Sequence, residues 1–419
     1  MSALRREFWA PVALSYVAFV LVGLSAGVGG VLLPAQIDDY GLDKATIGTQ
    51  FFAFSAGFML AGSTAGPLIH RFGIRTSLVI GGGTFMLAAL FTAVRPPFLA
   101  FLAAQVVVGY GTGVLESVLN AYLTDLPGAT TLLNRLHAFF GVGALLGPLL
   151  ATGILTFLPW TAVWLVLAVV CLPLLIGFRL TLPAREAPPP VPAGEHADAG
   201  GGLLATASRQ PAVLLGAVFL AVYVGLELSV GNWGFTFLVD DRGQSGLLAG
   251  YTISGYWLGL ALGRFLISPV ATRFGMTATG MTFLCLAGIT ISTTMAWLAP
   301  GAAMASVSLV LLGFWLGPVF PTTMAVAPRL TVARLVPTAI GLINGVSVVG
   351  GAVFPWLAGA IAQGIGAWTL PPFALALALL QLVVWWLVTT RMAPAPAPMV
   401  KGAPSPNQSP NQSPNQGAI

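Results

Sequence analysis

Two carboxylates sit deep inside apolar stretches of this chain, Glu116 in GYGTGVLESVLNAYL (109–123) and Glu227 in YVGLELSVGNWGF (223–235). The other ten of its 12 acids fall in loops or at the ends of apolar runs. An ionised acid in hydrocarbon costs several kcal/mol or more unless it faces a cavity, a partner or a proton. Burial favours the neutral form of a carboxyl group. An acid so placed can therefore take up a proton from one side and release it to the other. Helical spacing puts Gly109, Gly113, Glu116 and Asn120 on one stripe. The competing reading of each acid is structural: Glu116 satisfied by a neighbouring backbone or arginine, Glu227 by a group on the first or eighth apolar run. Glu227 also suits a second role, as a hydrogen-bond acceptor for a bound solute.

Neutral polar side chains extend this chemistry. Gln50, Gln105, Asn120, Asn232 and Asn344 can exchange hydrogen bonds with hydroxyl groups. Trp233, Tyr256, Trp257 and Trp315 offer flat faces against which a sugar ring could rest. Trp and Tyr are also ordinary packing residues in membrane spans. The candidate solute-binding set is Gln50, Asn120, Asn232, Trp233, Tyr256 and Asn344, with Trp233 singled out because it follows Glu227 by six residues.

The elements that must hold these groups follow from composition. The chain is 57% apolar and 7% charged, and no soluble core needs so much apolar side chain for so little surface charge. Runs long enough to cross about 30 Å of hydrocarbon lie near 10–34, 47–69, 77–94, 98–123, 136–158, 160–178, 211–238, 247–268, 277–298, 302–326, 338–361 and 368–390. The expected fold is an all-α membrane protein with twelve transmembrane helices. Cys171 and Cys285 both fall inside spans and read as buried hydrophobes. No cofactor, metal site or cleaved signal peptide is expected. The formal charge of +5 concerns orientation rather than nucleic acid. With the N-terminus in the cytoplasm, 14 of the 17 Lys and Arg residues lie on that side, and only Lys44, Arg95 and Arg242 lie opposite. That asymmetry places both termini in the cytoplasm of a plasma (inner) membrane.

The spans form two copies of one unit. VGLSAGVGG (22–30) returns as VGLELSVGN (224–232), and RFG (71–73) as RFG (273–275), each 202 residues later. Gly109 has its counterpart in Gly313. The expected division is an N-terminal six-helix bundle over 1–181, a flexible cytoplasmic linker over 182–210, a C-terminal bundle over 211–391 and a disordered tail over 392–419. The linker is rich in Pro and Gly, and the tail carries tandem SPNQ units. A parallel repeat of this kind sets a solute site near the midplane between its halves.

The chain resembles the major facilitator superfamily and, within it, the fucose permease-like branch of sugar:proton symporters. Gly66-Pro67-Leu68-Ile69-His70-Arg71-Phe72-Gly73-Ile74-Arg75 resembles the superfamily's G-x-x-x-D-R-x-G-R-R signature, with His70 in place of Asp and Ile74 in place of the first closing basic residue. The branch is marked by Gly113-x-x-Glu116-x-x-x-Asn120, by FFG (139–141), GRF (263–265), FPT (320–322) and FPW (354–356). The resemblance implies a cytoplasmic gate at Gly66, His70, Arg71, Gly73, Arg75, Arg264 and Arg273. It also places Glu116 where the branch has a proton- and sugar-linked acid. The branch's other acid, in the first helix, falls on Gly30, and Glu227 is the candidate to replace it.

The expected activity is secondary active transport of a sugar-like solute with protons, at Glu116 and Glu227, by a monomer in the lipid bilayer. Two other readings stand beside it: a proton-coupled exporter of small amphipathic compounds, and a non-transporting membrane receptor. An enzyme is not expected, because the chain shows no catalytic dyad or metal-ligand cluster.

Overall fold

A computed structural model describes residues 2–183 and 199–392. Its spans are helical throughout, because a chain crossing hydrocarbon must satisfy its own backbone. In chain order they are α1 (Ser2–Tyr40), α2 and α3 (49–72 and 74–93), α4 (Phe98–Thr124), α5 (Ala129–Leu155) and α6 (Thr161–Thr181). The second half follows with α7 (Pro211–Thr236), α8 (Gly246–Arg273), α9 (Ala278–Leu298), α10 (Ala302–Leu316), α11 (Val336–Gly364) and α12 (Leu370–Thr389). Among the described residues eleven apolar helical stretches are long enough to cross a membrane, and one of them, Lys44–Ala93, contains two crossings. The chain reverses inside it at Gly73, whose φ of 77° is open to glycine and costly for other residues. The expected twelve crossings are thus present. α10 breaks at Gly317-Pro318 and resumes as Val319–Val326, since proline supplies no N–H to continue the ladder.

Two expectations about local structure change. The linker expected over 182–210 contains a helix, Ala199–Ala207, which packs against α11. Residues 184–198 of the linker and 393–419 of the tail lie outside the described residues. α5 begins at Ala129 rather than near 136, so Asn134, Arg135 and His137 are carried on a helix.

The duplication is visible in backbone contacts. A Cβ on Gly57 would meet the Val106 carbonyl, and one on Gly259, 202 residues later, would meet that of Val310. Gly109 lies against the Phe54 carbonyl, and Gly313 against that of Tyr256. Gly275 repeats the turn of Gly73 with a φ of 69°. Missing side chains let α2 and α4, and likewise α8 and α10, approach to backbone contact.

The halves cross where α5 packs on α8 and α1 on α7, and they close at one face of the bundle. At the face remote from α1's start and α12's end (the far face), Lys44 Nζ reaches Asp240 (3.0 Å) and the Lys44 N–H donates to Gln363 Oε1 (2.9 Å). The adjoining Gly48 and Gly359 are filled by Trp356 and Trp233. Eighteen residues along, about five helical turns, the same stripes run bare: Gly66 continues from Gly48, and Gly341 and Gly345 continue from Gly359 and Gln363. A Cβ added at Gly62, Gly66, Gly341 or Gly345 would meet no neighbouring element within 4 Å. The seam between α2 and α11 is therefore closed at the far face and parted at the face that carries the termini.

Candidate functional site

α4 supplies the first acid. Its exposed side in the far half carries Leu99 and Val107, 80% and 40% exposed. Glu116 follows Val107 by nine residues, about half a turn of rotation away from that face. Gly109 and Gly113 on its own stripe are pressed against α2. The carboxyl group is half-buried and accepts no hydrogen bond from the described residues. The ion pairs Lys44–Asp240, Arg95–Asp39 and Arg242–Asp241 leave it out. Asn120, one turn on, donates its amide to the Glu116 carbonyl oxygen (2.8 Å). An acid with no cation and some access to water is free to change its charge.

α7 supplies the second acid in a different setting. Glu227 is buried between α7, α8 and α10. The Tyr256 hydroxyl donates to its carbonyl oxygen (2.9 Å), and Tyr223, one turn earlier, donates to the Leu316 carbonyl (3.0 Å) beside the carboxyl group. Arg264 on α8 donates Nε to the Gly317 carbonyl at the break in α10 (3.2 Å). It is near enough for its charge to act on Glu227, Tyr223 and Tyr256.

This changes the position expected for Arg264, which sequence resemblance places at a cytoplasmic gate. The guanidinium lies inside the α8 span, nine residues before the helix ends at Arg273, about 13 Å along the axis. A charged residue within the predicted span 247–268 was the available signal. His137 was missed altogether, since α5 was expected to begin beside it. Its ring meets Phe19 edge-on (centroids 5.5 Å apart) and feels the charge of Arg264. One turn farther along, Gly141 of α5 approaches Ala261 of α8, with 3.2 Å left for a Cβ. His137 and Arg264 thus face each other where the two halves cross.

The other expected residues divide by location. Asn344 is exposed on α11, one residue before Gly345 on the parted seam. Asn232 sits where α7 crosses α1: its amide donates to Leu228 (2.8 Å), and its Oδ1 lies 3.0 Å from where a Cβ on Gly29 would be. Trp233 is buried in the far-face closure, donates Nε1 to the Pro355 carbonyl (2.7 Å) and meets Phe51 edge-on. Gln50 pairs with Gln36 (3.4 Å) within the first half. Trp233 and Gln50 therefore belong to the closed end in this conformation, away from Glu116. Around the reversal at Gly73, His70 and Arg71 are exposed, with Arg71 over the Phe72 ring (5.2 Å). Gly66 is exposed, Arg75 half-buried, and Arg273 ends α8.

A family model described as the Major Facilitator Superfamily matches residues 15–253 and 218–412. Bypass of stop codon protein 6 of Saccharomyces cerevisiae is 24% identical over 407 residues, covering 88% of this chain and 80% of that protein. A glucose/galactose transporter of Brucella abortus biovar 1 is 26% identical over 377 residues, covering 83% and 86%. A multidrug resistance protein of Shigella dysenteriae serotype 1 is 26% identical over 373 residues, covering 84% and 89%. Among solved structures, a bacterial homologue of the human lysosomal transporter Spinster superposes with a TM-score of 0.74 at 16% identity, covering 93% of this chain and 99% of that one. The Escherichia coli fucose:proton symporter superposes with 0.63 at 18%, covering 92% and 99%.

Proposed function

This chain belongs to the Major Facilitator Superfamily, and from that premise we propose that it carries a sugar or similar polyol across the membrane by alternating access coupled to protons. It is a transporter rather than an enzyme. The observation that carries the proposal is Glu116: a carboxyl group within a span, turned from the exposed side of α4, with no cation or donor among the described residues. Such a group is costly to keep charged and serves best where a proton comes and goes. The relative named for glucose and galactose supports a sugar as the solute.

The excess of Lys and Arg at the face that carries the termini makes that face cytoplasmic. The parted seam then opens inward, and the Lys44–Asp240 contact closes the outside of a plasma (inner) membrane. The chain works as a monomer. A second reading, export of amphipathic compounds by proton antiport, is favoured by the multidrug resistance relative.

Purified protein in liposomes tests both. With one pH unit across the membrane, a one-to-one symporter accumulates glucose or galactose about tenfold, since 1.4 kcal/mol is a factor of ten. Glu116→Gln is expected to lose that accumulation while keeping sugar counterflow. Accumulation by Glu116→Gln equal to that of the parent removes Glu116 from the coupling. No sugar flux, with proton-driven movement of an amphipathic cation, replaces the first reading by the second.

A further inference from the structure

Two stretches of sequence that meet at the break in α10 have no part in the transport reading, GRF (263–265) and FPT (320–322). In an unbroken helix each carbonyl accepts from the N–H four residues later. The residue four after Gly317 is Pro321, which has no N–H to give. Pro318 fails the Phe314 carbonyl in the same way, and there the Gly317 N–H takes its place (3.3 Å). The backbone itself stays right-handed helical at Gly317 (φ −46°, ψ −55°) and at Pro318 (φ −82°, ψ −10°). The break thus lacks donors rather than helical geometry. A carbonyl left open inside a span has no water to turn to.

Side chains from two neighbouring helices supply the donors. Arg264 of α8 gives Nε to the Gly317 carbonyl (3.2 Å), and Tyr223 of α7 gives its hydroxyl to the Leu316 carbonyl (3.0 Å). The Tyr223 ring also lies against Phe320, beyond the break, with centroids 6.3 Å apart. Glycines make the approach possible: a Cβ on Gly263 would run into the Phe314 carbonyl, and one on Gly317 into the Leu260 carbonyl and the Arg264 nitrogen. Arg264 joins none of the ion pairs among the described residues. Its position at the carbonyl end of a helix segment is one that favours a cation.

We propose that Arg264 and Tyr223 are positioning residues, which cap the carbonyls at the α10 break and so fix the direction of its inner segment, Val319–Val326. That segment runs through the short turns Ala327–Arg329 and Ala333–Leu335 into α11 at Val336. The first turns of α11 carry Gly341 and Gly345 on the parted seam. The caps thereby set the width of the inner opening. Arg264 is spent on a helix end, whereas the resemblance at GRF implies a residue of the cytoplasmic gate. The first half needs no such device. Counting back 204 residues, Gly317 falls on Gly113 and Pro321 on Ser117, and α4 runs unbroken from Phe98 to Thr124. The assignment concerns the scaffold and stands whichever solute is carried.

A suppressor variant of the purified protein provides the test. Arg264→Met removes the donor at similar length. It is expected to lower the unfolding temperature by about 3–6 °C, the shift for losing one hydrogen bond to a charged group. Pro321→Ala gives the Gly317 carbonyl a backbone donor, and by itself should unfold as the parent does. Added to Arg264→Met, it should return most of the loss. Arg264→Lys should lose less than Arg264→Met, because its ammonium group still donates. Positioning is read separately, by labelling Gly341→Cys with a membrane-impermeant maleimide well below the unfolding temperature. Arg264→Met should change that rate severalfold, and adding Pro321→Ala should bring it back towards the parent's. A general loss of stability would leave the rate unchanged, so an unchanged rate overturns the positioning role. An equal loss with and without Pro321→Ala, or no loss from Arg264→Met, overturns the cap. Should Arg264→Met not fold, recovery of monodisperse protein on adding Pro321→Ala supports the proposal, and no recovery overturns it.

Discussion

Glu116 and Glu227 are the same residue type, each inside an apolar span, yet their surroundings are opposite. Glu116 stands on a glycine stripe of α4 with no cation. Glu227 is enclosed by two tyrosines with Arg264 close by. The internal repeat sharpens the contrast. Counting back 202 residues, Glu227 falls on Ser25, Tyr256 on Phe54 and Arg264 on Gly62; counting 204 forward, Glu116 falls on Phe320 and Asn120 on Met324. The glycine-to-carbonyl contacts are repeated in both halves, whereas Glu116, Glu227 and Arg264 have no charged counterpart. A duplicated scaffold kept its close helix crossings and distributed its chemistry asymmetrically, one acid to exchange a charge and one held in an electrostatic frame.

The scaffold side of that contrast should show the largest effects. Gly57→Leu and Gly259→Leu push a side chain into a neighbouring backbone carbonyl. Each is expected to cost about 3 kcal/mol or more, read as loss of monodisperse protein in detergent. Gly66→Leu and Gly341→Leu, which meet open space, should purify normally. Equal damage at all four positions would dissolve the distinction between closed and parted stripes.

The two acids should next separate in thermal unfolding. Arg264→Gln removes the charged hydrogen bond that Arg264 donates to the Gly317 carbonyl, a loss of about 1.5–3 kcal/mol. Glu116→Gln removes no partner and should unfold within a degree or two of the parent. If both variants shift alike, the asymmetry between the acids is not electrostatic.

Thiol labelling sharpens the geometry with a smaller signal. Cys171 and Cys285 are both buried, so an introduced cysteine reports its own exposure. Gly62→Cys and Gly345→Cys should react with a membrane-impermeant maleimide from the face that carries the termini, and Gly48→Cys and Gly359→Cys from neither face. Labelling at Gly48→Cys as fast as at Gly62→Cys would contradict the closed far end.

The smallest effect belongs to the far-face latch. Lys44 and Asp240 keep 19% and 43% of their side chains exposed, and such pairs contribute about 0–1 kcal/mol. Lys44→Ala should raise labelling of Gly359→Cys only a few-fold, and high salt should do the same to the parent. No change under either condition would show that packing of Trp233 and Trp356 alone closes this end.

Legibility followed the length scale of each physical cause. The twelve crossings and the duplication could be read along the chain, because hydrophobic length and repeated glycines are local properties. Glu116 and Glu227 could be singled out for the same reason: a charge in an apolar run is visible without coordinates. Arg264 carried the same signal, but it was assigned to the gate because a resemblance at GRF outweighed its place within the span. His137 was hidden by a helix boundary misplaced by seven residues. Trp233 and Gln50 had suitable chemistry, and only packing put them in the closed end.

By itself the sequence determined that this chain crosses a membrane twelve times in two related halves and keeps two acids in apolar surroundings, because a backbone in hydrocarbon must satisfy itself and apolar runs of this length do so as helices. Only the tertiary structure decided which acid stands alone and which faces an arginine, and at which end the halves touch. Those facts depend on contacts between residues tens to hundreds of positions apart, whose approach is fixed by how glycine-lined helices cross.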